Sequence, residues 1–399
     1  MARLSCTVAN AASLAAEVRL GVRGGESVTD VVRQIVAAVR SGGDRALLEY
    51  EERFGGGGAL RVTQDELAAA LEALDPAVRA GLEVAVENVR LVAEAGLDAE
   101  AEAQLPQGHA VRLREVPVAR AAIYVPAGRN PYPSTVVMGA VTARAAGVDE
   151  VVVASGDDPA ILAACALCDV DAVFRMGGAP AVAAFAYGTE TVPAADVIVG
   201  PGSLWVQEAK RQVSGDVGID GFAGPSDLTV ILTAGADPEP LRLDLLAQAE
   251  HGEDSLVVAI SDDPALLDAL GGAATEVLAD SMDAALAFSE ALAPEHLQLA
   301  GGPAEALAPR VRRAGCLFVG GQAGTAFGDY VAGSNHTLPT GGAARFASGL
   351  SPRHFRRRMA EVRLGGAADA LARAGVPVAR VEGFPGHAAS MEIRENPRP

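Results

Sequence analysis

Histidine is scarce in this chain, and most of its histidines stand beside residues that could share a chemical task. Only six histidines occur in 399 residues, and four short segments place one near a carboxylate, an amide or turn residues. Imidazole is a common metal ligand and an acid–base group near neutral pH. These four segments are therefore the first candidates for a catalytic or metal-binding site.

Two of the segments combine histidine with an amide or a carboxylate. In 246–252, Gln248 and His251 are three residues apart, so a helix would place both on one face, where they could ligate one metal. In 293–297, Pro294 is expected to start a helix whose first turn holds Glu295 and His296, a pair suited to general acid–base work. Either segment could instead be structural, as a capped helix end or an acidic helix start.

The other two segments are irregular. The glycine-rich run 328–342 holds His336 and Asp329, which is a hard oxygen ligand. This run is typical of a binding loop, but it could equally be an ordinary turn. In 382–387, Pro385 excludes a regular helix through the segment that holds Glu382 and His387, which could equally be a solvated tail. Two histidines, one aspartate and one glutamine would form a nitrogen–oxygen donor set compatible with zinc.

Two other patterns are weaker. Cys165 and Cys168 form a CxxC, but they lie in an apolar helical run without a second cysteine pair, which predicts buried helix cysteines. No GxGxxG follows any predicted strand, since the nearest run, 200–205, ends in Trp205. The residues alone therefore do not predict a dinucleotide cofactor.

The elements that must position these groups change type along the chain. Residues 1 to about 105 are predicted to be helical, notably 27–40 and 63–94, with a loop at 55–58. From about 110, β-rich runs alternate with alanine-rich helical stretches, which predicts βαβ units, parallel sheets and the α/β class. The β-rich runs are 121–125, 151–154, 172–175, 197–199, 228–232, 256–260 and 316–319. The length favours two α/β domains over one small sheet, followed from about 351 by an arginine-rich, then helical, then polar tail.

Composition narrows the choice of partners and compartment. A net charge of −19 makes nucleic acid and anionic membranes poor partners. We find no apolar run of eighteen residues and no signal-like start, and the four cysteines are too scattered for a disulfide framework. A cytoplasmic protein with a small-molecule substrate is expected.

Eight runs, in order, resemble the histidinol dehydrogenase family over nearly the whole chain. They are 124–128, 132–135, 200–202 with 208–212, 215–220, 223–226, 246–251, 293–297 and 328–340. The resemblance implies four-electron oxidation of L-histidinol to L-histidine through L-histidinaldehyde, with two NAD and one zinc ion per subunit. It also implies a homodimer in which the C-terminal segment completes the partner's site.

The resemblance assigns roles to individual positions. It implies Glu295 and His296 as the catalytic pair. The implied zinc ligands are Gln248, His251, Asp329 and His387. The implied substrate contacts are Ser226, Gln248, His251, His296, His336, Asp329, Glu382 and His387, and the implied NAD positions are Tyr124, Pro180 and Ser203. In the resulting mechanism, His296 accepts the substrate's hydroxyl proton and Glu295 activates the water of the second oxidation.

The implied fold is two incomplete Rossmann-like domains, one inserted in the other, with small terminal pieces. The expected segments are an N-terminal arm 1–18, a first α/β domain 19–123 plus 227–350 that carries most of the site, an inserted NAD-binding domain 124–226, and a dimer-swapped tail 351–399. The chain departs from the family's usual residues at Pro180, Ser203 and Asp227, and 262–281 is shorter than usual.

Three other functions fit parts of the pattern. A family paralogue that oxidises another primary alcohol or polyol is suggested by Pro180, Ser203 and the shortened segment. A zinc hydrolase with Glu295 as its base would work without NAD, although HExxH is absent. A non-catalytic NAD- or metal-binding regulator would not need the pair Glu295 and His296.

Overall fold

A computed structural model describes residues 3–21, 27–126, 130–222, 224–252 and 254–395. Parts of two of the runs that carry the resemblance, 127–128 and Ala223, lie outside these described residues. The chain divides into two compact units, one of Met1–Gly96 with Val118–Phe355 and one of Leu97–Pro117 with Arg356–Pro399. No helix within the described ranges has both the length and the apolar character that crossing a membrane requires.

The first unit holds two parallel sheets and most of the helices. Its strands are β1 Leu4–Cys6, β4 Arg120–Tyr124, β5 Glu150–Ser155, β6 Ala172–Arg175, β7 Val197–Val199, β8 Gly218–Ile219, β9 Asp227–Leu232, β10 Leu256–Ser261, β11 Thr275–Ala279, β12 His296–Ala300 and β13 Cys316–Val319. Its helices are α1 Ala11–Leu20, α2 Thr29–Arg53, α3 Gln64–Ala73, α4 Pro76–Ala95, α5 Pro133–Val136, α6 Thr142–Ala145, α7 Pro159–Leu167, α8 Gly178–Tyr187, α9 Leu204–Val213, α10 Pro238–Ala249, α11 Pro264–Ala269, α12 Met282–Leu292, α13 Gly302–Glu305 and α14 Thr325–Tyr330.

Short turns complete this unit. A π-helical turn, Val137–Val141, joins α5 to α6 into one continuous helix, and 3-10 turns form at Ala308–Arg310, Ala343–Arg345 and Pro352–Phe355. Four helices begin with an aspartate cap followed by proline, at Asp75, Asp158, Asp237 and Asp263. Each aspartate accepts a backbone N–H of the first turn while proline supplies the helical φ angle, so the chain specifies these starts locally.

Both sheets have the same doubly wound strand order. The five-stranded sheet runs β6-β5-β4-β7-β8, and the six-stranded sheet runs β11-β10-β9-β12-β13 with β1 added beside β11. All pairings in both sheets are parallel. In each sheet the chain moves outward first to one side and then to the other, so the order reverses between β4 and β7 and between β9 and β12.

Alternating side chains of these strands form a core on each face of each sheet. In β4, Ala121 and Ile123 join one core, whereas Ala122 and Tyr124 join the other. Helices α2 and α4 belong to these two cores, so both cover the five-stranded sheet, and α4 also contacts the segment 227–350, since Asn88 Nδ2 donates to Val331 O at 2.7 Å. The predicted all-helical start also omitted β1, which pairs with β11.

The second unit is built on an antiparallel sheet. Its strands β2 Ala101–Gln104, β3 Ala110–Pro117 and β14 Arg356–Arg363 lie in the order β14-β3-β2. A 3-10 turn at Gly365–Ala367 then leads into α15 Ala368–Val381 and α16 Pro385–Glu392. The arginine-rich part of the predicted tail is thus a strand, and its sheet partners come from 101–117, outside the predicted segment 351–399.

Candidate active site

A cleft of about 640 Å³ lies between an edge of each parallel sheet. Pro126 and Gly200, which follow β4 and β7, bring the carboxyl edge of the five-stranded sheet to the cleft. Ser226, Glu295 and His296, which stand at the start of β9 and β12, bring the amino edge of the six-stranded sheet. In doubly wound sheets, ligands bind outside the carboxyl ends of the strands, at the place where the strand order reverses. In the five-stranded sheet this place lies between β4 and β7.

Strand register places Glu295 beside Asp227. His296 is opposite Leu228 in the pairing of β12 with β9, so the preceding residues of both strands are neighbours. The Glu295 carboxylate accepts hydrogen bonds from Ser226 Oγ at 2.6 Å and from the Asp227 N–H at 3.0 Å. Burial raises the pKa of Glu295 to about 7, although these hydrogen bonds favour the ionised form. Glu295 can therefore exchange a proton near neutral pH.

His296 is buried in a neutral form with a defined tautomer. Its Nδ1 lies 3.3 Å from the backbone oxygen of Asp227, which can only accept, so Nδ1 carries the hydrogen. Burial lowers the pKa of His296, because the imidazolium would lose hydration. Its Nε2 is therefore unprotonated, and it faces Asp329 Oδ1 at 3.7 Å. This arrangement suits a general base.

The predicted helix start at Pro294 is wrong. Helix α12 ends at Leu292, Ala293 adopts a left-handed conformation with φ of 49°, and β12 begins at His296. Proline shortly after a helix end is common, since it cannot continue the helix. The run His296–Ala300 instead pairs with β9 and β13 on both sides, and this pairing could not be read from local spacing.

Gln248 connects the end of α10 to the same hydrogen-bond network. Its buried side-chain Nε2 donates to Ser226 Oγ at 2.7 Å, and that hydroxyl donates in turn to Glu295. His251 is exposed and lies beyond the helix, which ends at Ala249 with Glu250 as its cap, so the two do not share a helical face. His251 Nδ1 faces the Gln248 backbone oxygen at 3.2 Å, which leaves Nε2 available as a ligand.

Asp329 and His336 both line the cleft. Asp329 lies in the short helix α14, so the segment is less irregular than its glycines suggest. Burial lowers the pKa of His336, opposed by the nearby Asp329 charge. The neighbouring Asn335 holds the loop, since its Nδ2 donates to Met138 O at 3.0 Å and its Oδ1 accepts from the Thr337 N–H at 2.9 Å.

The donor set for a metal is partly assembled in the first unit. Gln248, His251 and Asp329 supply an amide oxygen, a free imidazole nitrogen and a carboxylate, which is the chemistry that zinc accepts. Throughout the described ranges, no three His, Cys, Asp or Glu side chains gather closely enough to hold an ion without further ligands. These three residue types are therefore suitable zinc ligands, and further ligands must complete the set.

Glu382 and His387 belong to the second unit. Glu382 caps the end of α15, and His387 lies in the first turn of α16, where its ring stands 5.2 Å from that of Phe384. As expected from Pro385, no helix runs through 382–387, because α15 ends before it and α16 starts at this proline. Both side chains are exposed in the isolated chain.

The three expected cofactor positions differ in their surroundings. Ser203 is exposed and lines the cleft, whereas Tyr124 and Pro180 are buried. The Tyr124 hydroxyl accepts a hydrogen bond from Gly178 N at 3.1 Å at the start of α8. Exposed aromatic rings of Tyr132, Phe222, Tyr330 and Phe346 also line the cleft and offer flat apolar faces to a ligand.

A buried ion pair that the sequence analysis did not single out holds the edge of the five-stranded sheet at the cleft. Lys210 Nζ donates to Asp220 Oδ1 at 2.6 Å and to the Gly200 backbone oxygen at 2.5 Å, and Gly200 N donates to Asp220 Oδ2 at 2.7 Å. Gly200 has φ of 124°, and a Cβ there would meet Tyr124 O at 2.1 Å, so only glycine fits. Lys210 is the only lysine of the chain, and this rarity was the available signal.

The CxxC does not form a site. Cys165 and Cys168 are buried at the end of α7, and burial raises the pKa of Cys168 to about 12. A thiol with so high a pKa is a poor nucleophile. The prediction of buried helix cysteines is confirmed.

Comparisons with known proteins agree on one family. The family model described as histidinol dehydrogenase matches residues 22–395. A histidinol dehydrogenase of Streptomyces avermitilis is 41% identical over 91% of this chain and 90% of its own length, and one of Rhodospirillum rubrum is 38% identical over 99% and 98%. The crystal structure of histidinol dehydrogenase from Elizabethkingia anophelis superposes with a TM-score of 0.90 at 27% identity, covering 98% of both chains.

Proposed function

The chain belongs to the histidinol dehydrogenase family, and we propose that its cleft oxidises L-histidinol to L-histidine through L-histidinaldehyde, the last steps of histidine biosynthesis. The observation that carries this proposal is the buried pair Glu295 and His296 at the cleft, one titrating near pH 7 and one held neutral. Two successive oxidations at one carbon need two such groups beside it.

NAD is the proposed oxidant, and when bound it accepts one hydride in each oxidation. We place it at the carboxyl edge of the five-stranded sheet, within the inserted segment 124–226. The doubly wound order of both sheets supports two incomplete Rossmann-like domains, with the cofactor at the β4–β7 reversal. Ser203 stands at that edge, and the glycines of 200–202 let the backbone approach a ligand closely.

One zinc ion per subunit is proposed, held by Gln248, His251, Asp329 and His387. Zinc at these residues would bind the amino and imidazole nitrogens of L-histidinol and so orient it. The free Nε2 of His251 and the amide oxygen of Gln248, whose nitrogen is engaged by Ser226, support this assignment. Ser226, His336 and Glu382 are proposed to contact the remaining parts of the substrate.

His296 is the proposed base of the first oxidation. Its unprotonated Nε2 takes the substrate's hydroxyl proton as hydride leaves the same carbon, which yields the aldehyde. Since Nδ1 already donates to the Asp227 carbonyl, that hydrogen bond stabilises the imidazolium that forms.

Glu295 is the proposed base of the second oxidation. Its carboxylate activates a water molecule that adds to the aldehyde, and hydride then leaves the hydrate to give the carboxylic acid. A pKa near 7 makes Glu295 a stronger base than an ordinary carboxylate. Ser226 donates to the same carboxylate and fixes its orientation.

We also propose a cytoplasmic homodimer in which Glu382 and His387 of the C-terminal segment complete the partner's site. The support is the open donor set of the first unit and the exposure of both side chains in the isolated chain. Nothing in the acidic composition favours nucleic acid or anionic membranes as partners.

The substrate assignment is tested by comparing alcohols with zinc-loaded protein and NAD. L-histidinol should be turned over, whereas L-alaninol, which lacks the imidazole, and propane-1,2-diol, which lacks both nitrogens, should react at least about 100-fold more slowly, because buried polar partners would be left unpaired. Comparable turnover of the diol would contradict the assignment, and formation of the oxidised product without NAD would contradict NAD as the oxidant.

A further inference from the structure

Asp227 contacts both members of the catalytic pair. Its side-chain Oδ1 accepts the Glu295 N–H at 2.6 Å, and its own N–H donates to the Glu295 carboxylate at 3.0 Å. Its backbone oxygen accepts from His296 Nδ1 at 3.3 Å. One residue thus fixes the Glu295 backbone, the Glu295 side chain and the His296 tautomer.

The second carboxylate oxygen of Asp227 faces an arginine from the N-terminal helix. Asp227 is 1% exposed, and among the described residues its Oδ2 has no hydrogen-bond partner. The guanidinium of Arg19, in α1, lies 3.6 Å from this oxygen. A buried carboxylate without a cation nearby would be costly, so Arg19 stabilises the ionised form of Asp227.

Arg19 also fixes the end of the helix that precedes the catalytic pair. Its Nη2 donates to the backbone oxygen of Leu292, the last residue of α12. A cation at a helix C-terminus satisfies an unpaired carbonyl and complements the helix dipole. Gly342, with φ of 83°, packs beside Arg19, and a Cβ there would stand 3.5 Å from the guanidinium carbon.

The two anchors lie on either side of the turn that leads into the catalytic pair. Arg19 holds the chain at Leu292, and Asp227 holds it at Glu295, across a left-handed turn at Ala293. The turn departs from regular structure, so without both anchors Glu295 and His296 could shift relative to the cleft. A misplacement of about 1 Å can reduce a reaction rate by about 100-fold.

We propose that Asp227 and Arg19 form a single brace that positions Glu295 and His296 for both oxidations. Neither residue belongs to the sets assigned above to substrate, zinc or NAD, so both are positioning residues. This inference rests on the proposed function in one respect, since the positioned groups are assumed to act on L-histidinol. The brace itself can also be tested without measuring catalysis, through the tautomer of His296.

The test is a double-mutant cycle of D227A, R19M and the double variant, with kcat measured separately for L-histidinol and L-histidinaldehyde. We expect D227A to lower kcat at least about 10-fold for both substrates, and R19M less, with KM within about 2-fold, because positioning and not binding is lost. The double variant should be no slower than D227A, because the two residues act through one network. The conservative D227N, which keeps an acceptor for Glu295 N–H, should recover part of the loss.

The matched control is the exposed ion pair between Asp30 and Arg33 in α2. D30A and R33M should leave kcat unchanged. If D227A lowers only the melting temperature while kcat per zinc-loaded site stays at the wild-type value, Asp227 is structural and the brace is refuted. Independent, additive losses in D227A and R19M would refute it as well.

A second readout separates this proposal from the proposed function. In ¹⁵N-histidine spectra, the His296 signal, identified by its loss in H296N, should show hydrogen on Nδ1 in the wild type. D227A keeps the backbone oxygen that accepts from Nδ1 but loses the side-chain anchor of Glu295 N–H, so His296 should move away from that oxygen and show a mixture of tautomers. Wild-type protein that fails to oxidise L-histidinol would reject the function, and the spectra would still decide the brace. An unchanged His296 tautomer together with wild-type kcat in D227A would reject the brace alone.

Discussion

Glu295 and His296 are adjacent in the chain but meet different surroundings. Glu295 accepts hydrogen bonds from Ser226 and Asp227 and has a pKa raised to about 7 by burial. His296 donates its Nδ1 hydrogen to a carbonyl, and burial lowers its pKa. Surroundings that separate the pKa values of two titratable groups allow them to take different acid–base roles at one site.

Substitution of each member should therefore affect a different oxidation. H296N should slow oxidation of L-histidinol by about 100-fold or more and L-histidinaldehyde much less, because it removes the base for the hydroxyl proton. E295Q should show the reverse order, since an amide cannot activate water. Stopped-flow measurement of NADH from each substrate checks this, and equal losses in both half-reactions would contradict the assignment of roles.

At this scale the residue types could be predicted from the sequence, but their distances could not. Ser226, Glu295, Asp329 and His336 line one cleft although they are up to 110 positions apart. The resemblance, and not the spacing, connected them. Arg19 and Asp220 gave no local signal, because an arginine in a helix and an aspartate in a turn are usually surface residues.

At the scale of elements, the site depends on how strands begin and end. The strands β6, β7 and β13 were predicted with their observed bounds, because each is a short β-rich run between turns or helices. Strand β12 was missed because Pro294 suggested a helix start, whereas pairing with β9 and β13 determines the structure. Tertiary pairing thus overrode a local signal at the position that matters most for the chemistry.

Helix α9 holds, through Lys210, the edge of the five-stranded sheet at which NAD is proposed to bind. This side chain is 1% exposed and pairs with Asp220, which follows β8, while both hold Gly200 after β7. K210M should destabilise the protein by about 3–5 kcal/mol, because it leaves a buried carboxylate unpaired. The remaining folded protein should have a raised KM for NAD.

The measurement combines urea unfolding with NAD titration at fixed L-histidinol. R211M, which removes an exposed arginine next in the chain, is the matched control and should change neither quantity. The double variant K210M/D220N should recover part of the stability, since it removes the unpaired charge and keeps an acceptor for the Gly200 N–H. A K210M protein with wild-type stability and wild-type KM for NAD would show that the ion pair does not hold this edge.

At the scale of the whole molecule, the α/β class with parallel sheets is confirmed by the two sheets of the first unit. The pattern of alternating β-rich and helical runs was sufficient for this, because parallel sheets need long crossover connections. It could not show that α2 and α4 cover the five-stranded sheet, since hydrophobic periodicity identifies a buried face but not what covers it.

A shared site makes a prediction that a single-chain site does not. H296N alters the cleft, and H387A alters the C-terminal segment, so each homodimer should be inactive. Subunit exchange between them should restore about a quarter of the wild-type activity, because each mixed dimer regains one intact site. Activity is measured before and after mixing, and no recovery despite demonstrated exchange would contradict a site completed by the partner.

The central claim is a zinc-dependent, two-step oxidation of L-histidinol at this cleft. Its most direct test is the amount of NADH formed from a limiting quantity of L-histidinol, measured by absorbance before chelation, after chelation and after zinc is restored. The account predicts two NADH per L-histidinol, loss of turnover with the chelator, and recovery with zinc. The claim would be contradicted by one NADH per L-histidinol with accumulating aldehyde, or by turnover that the chelator does not change.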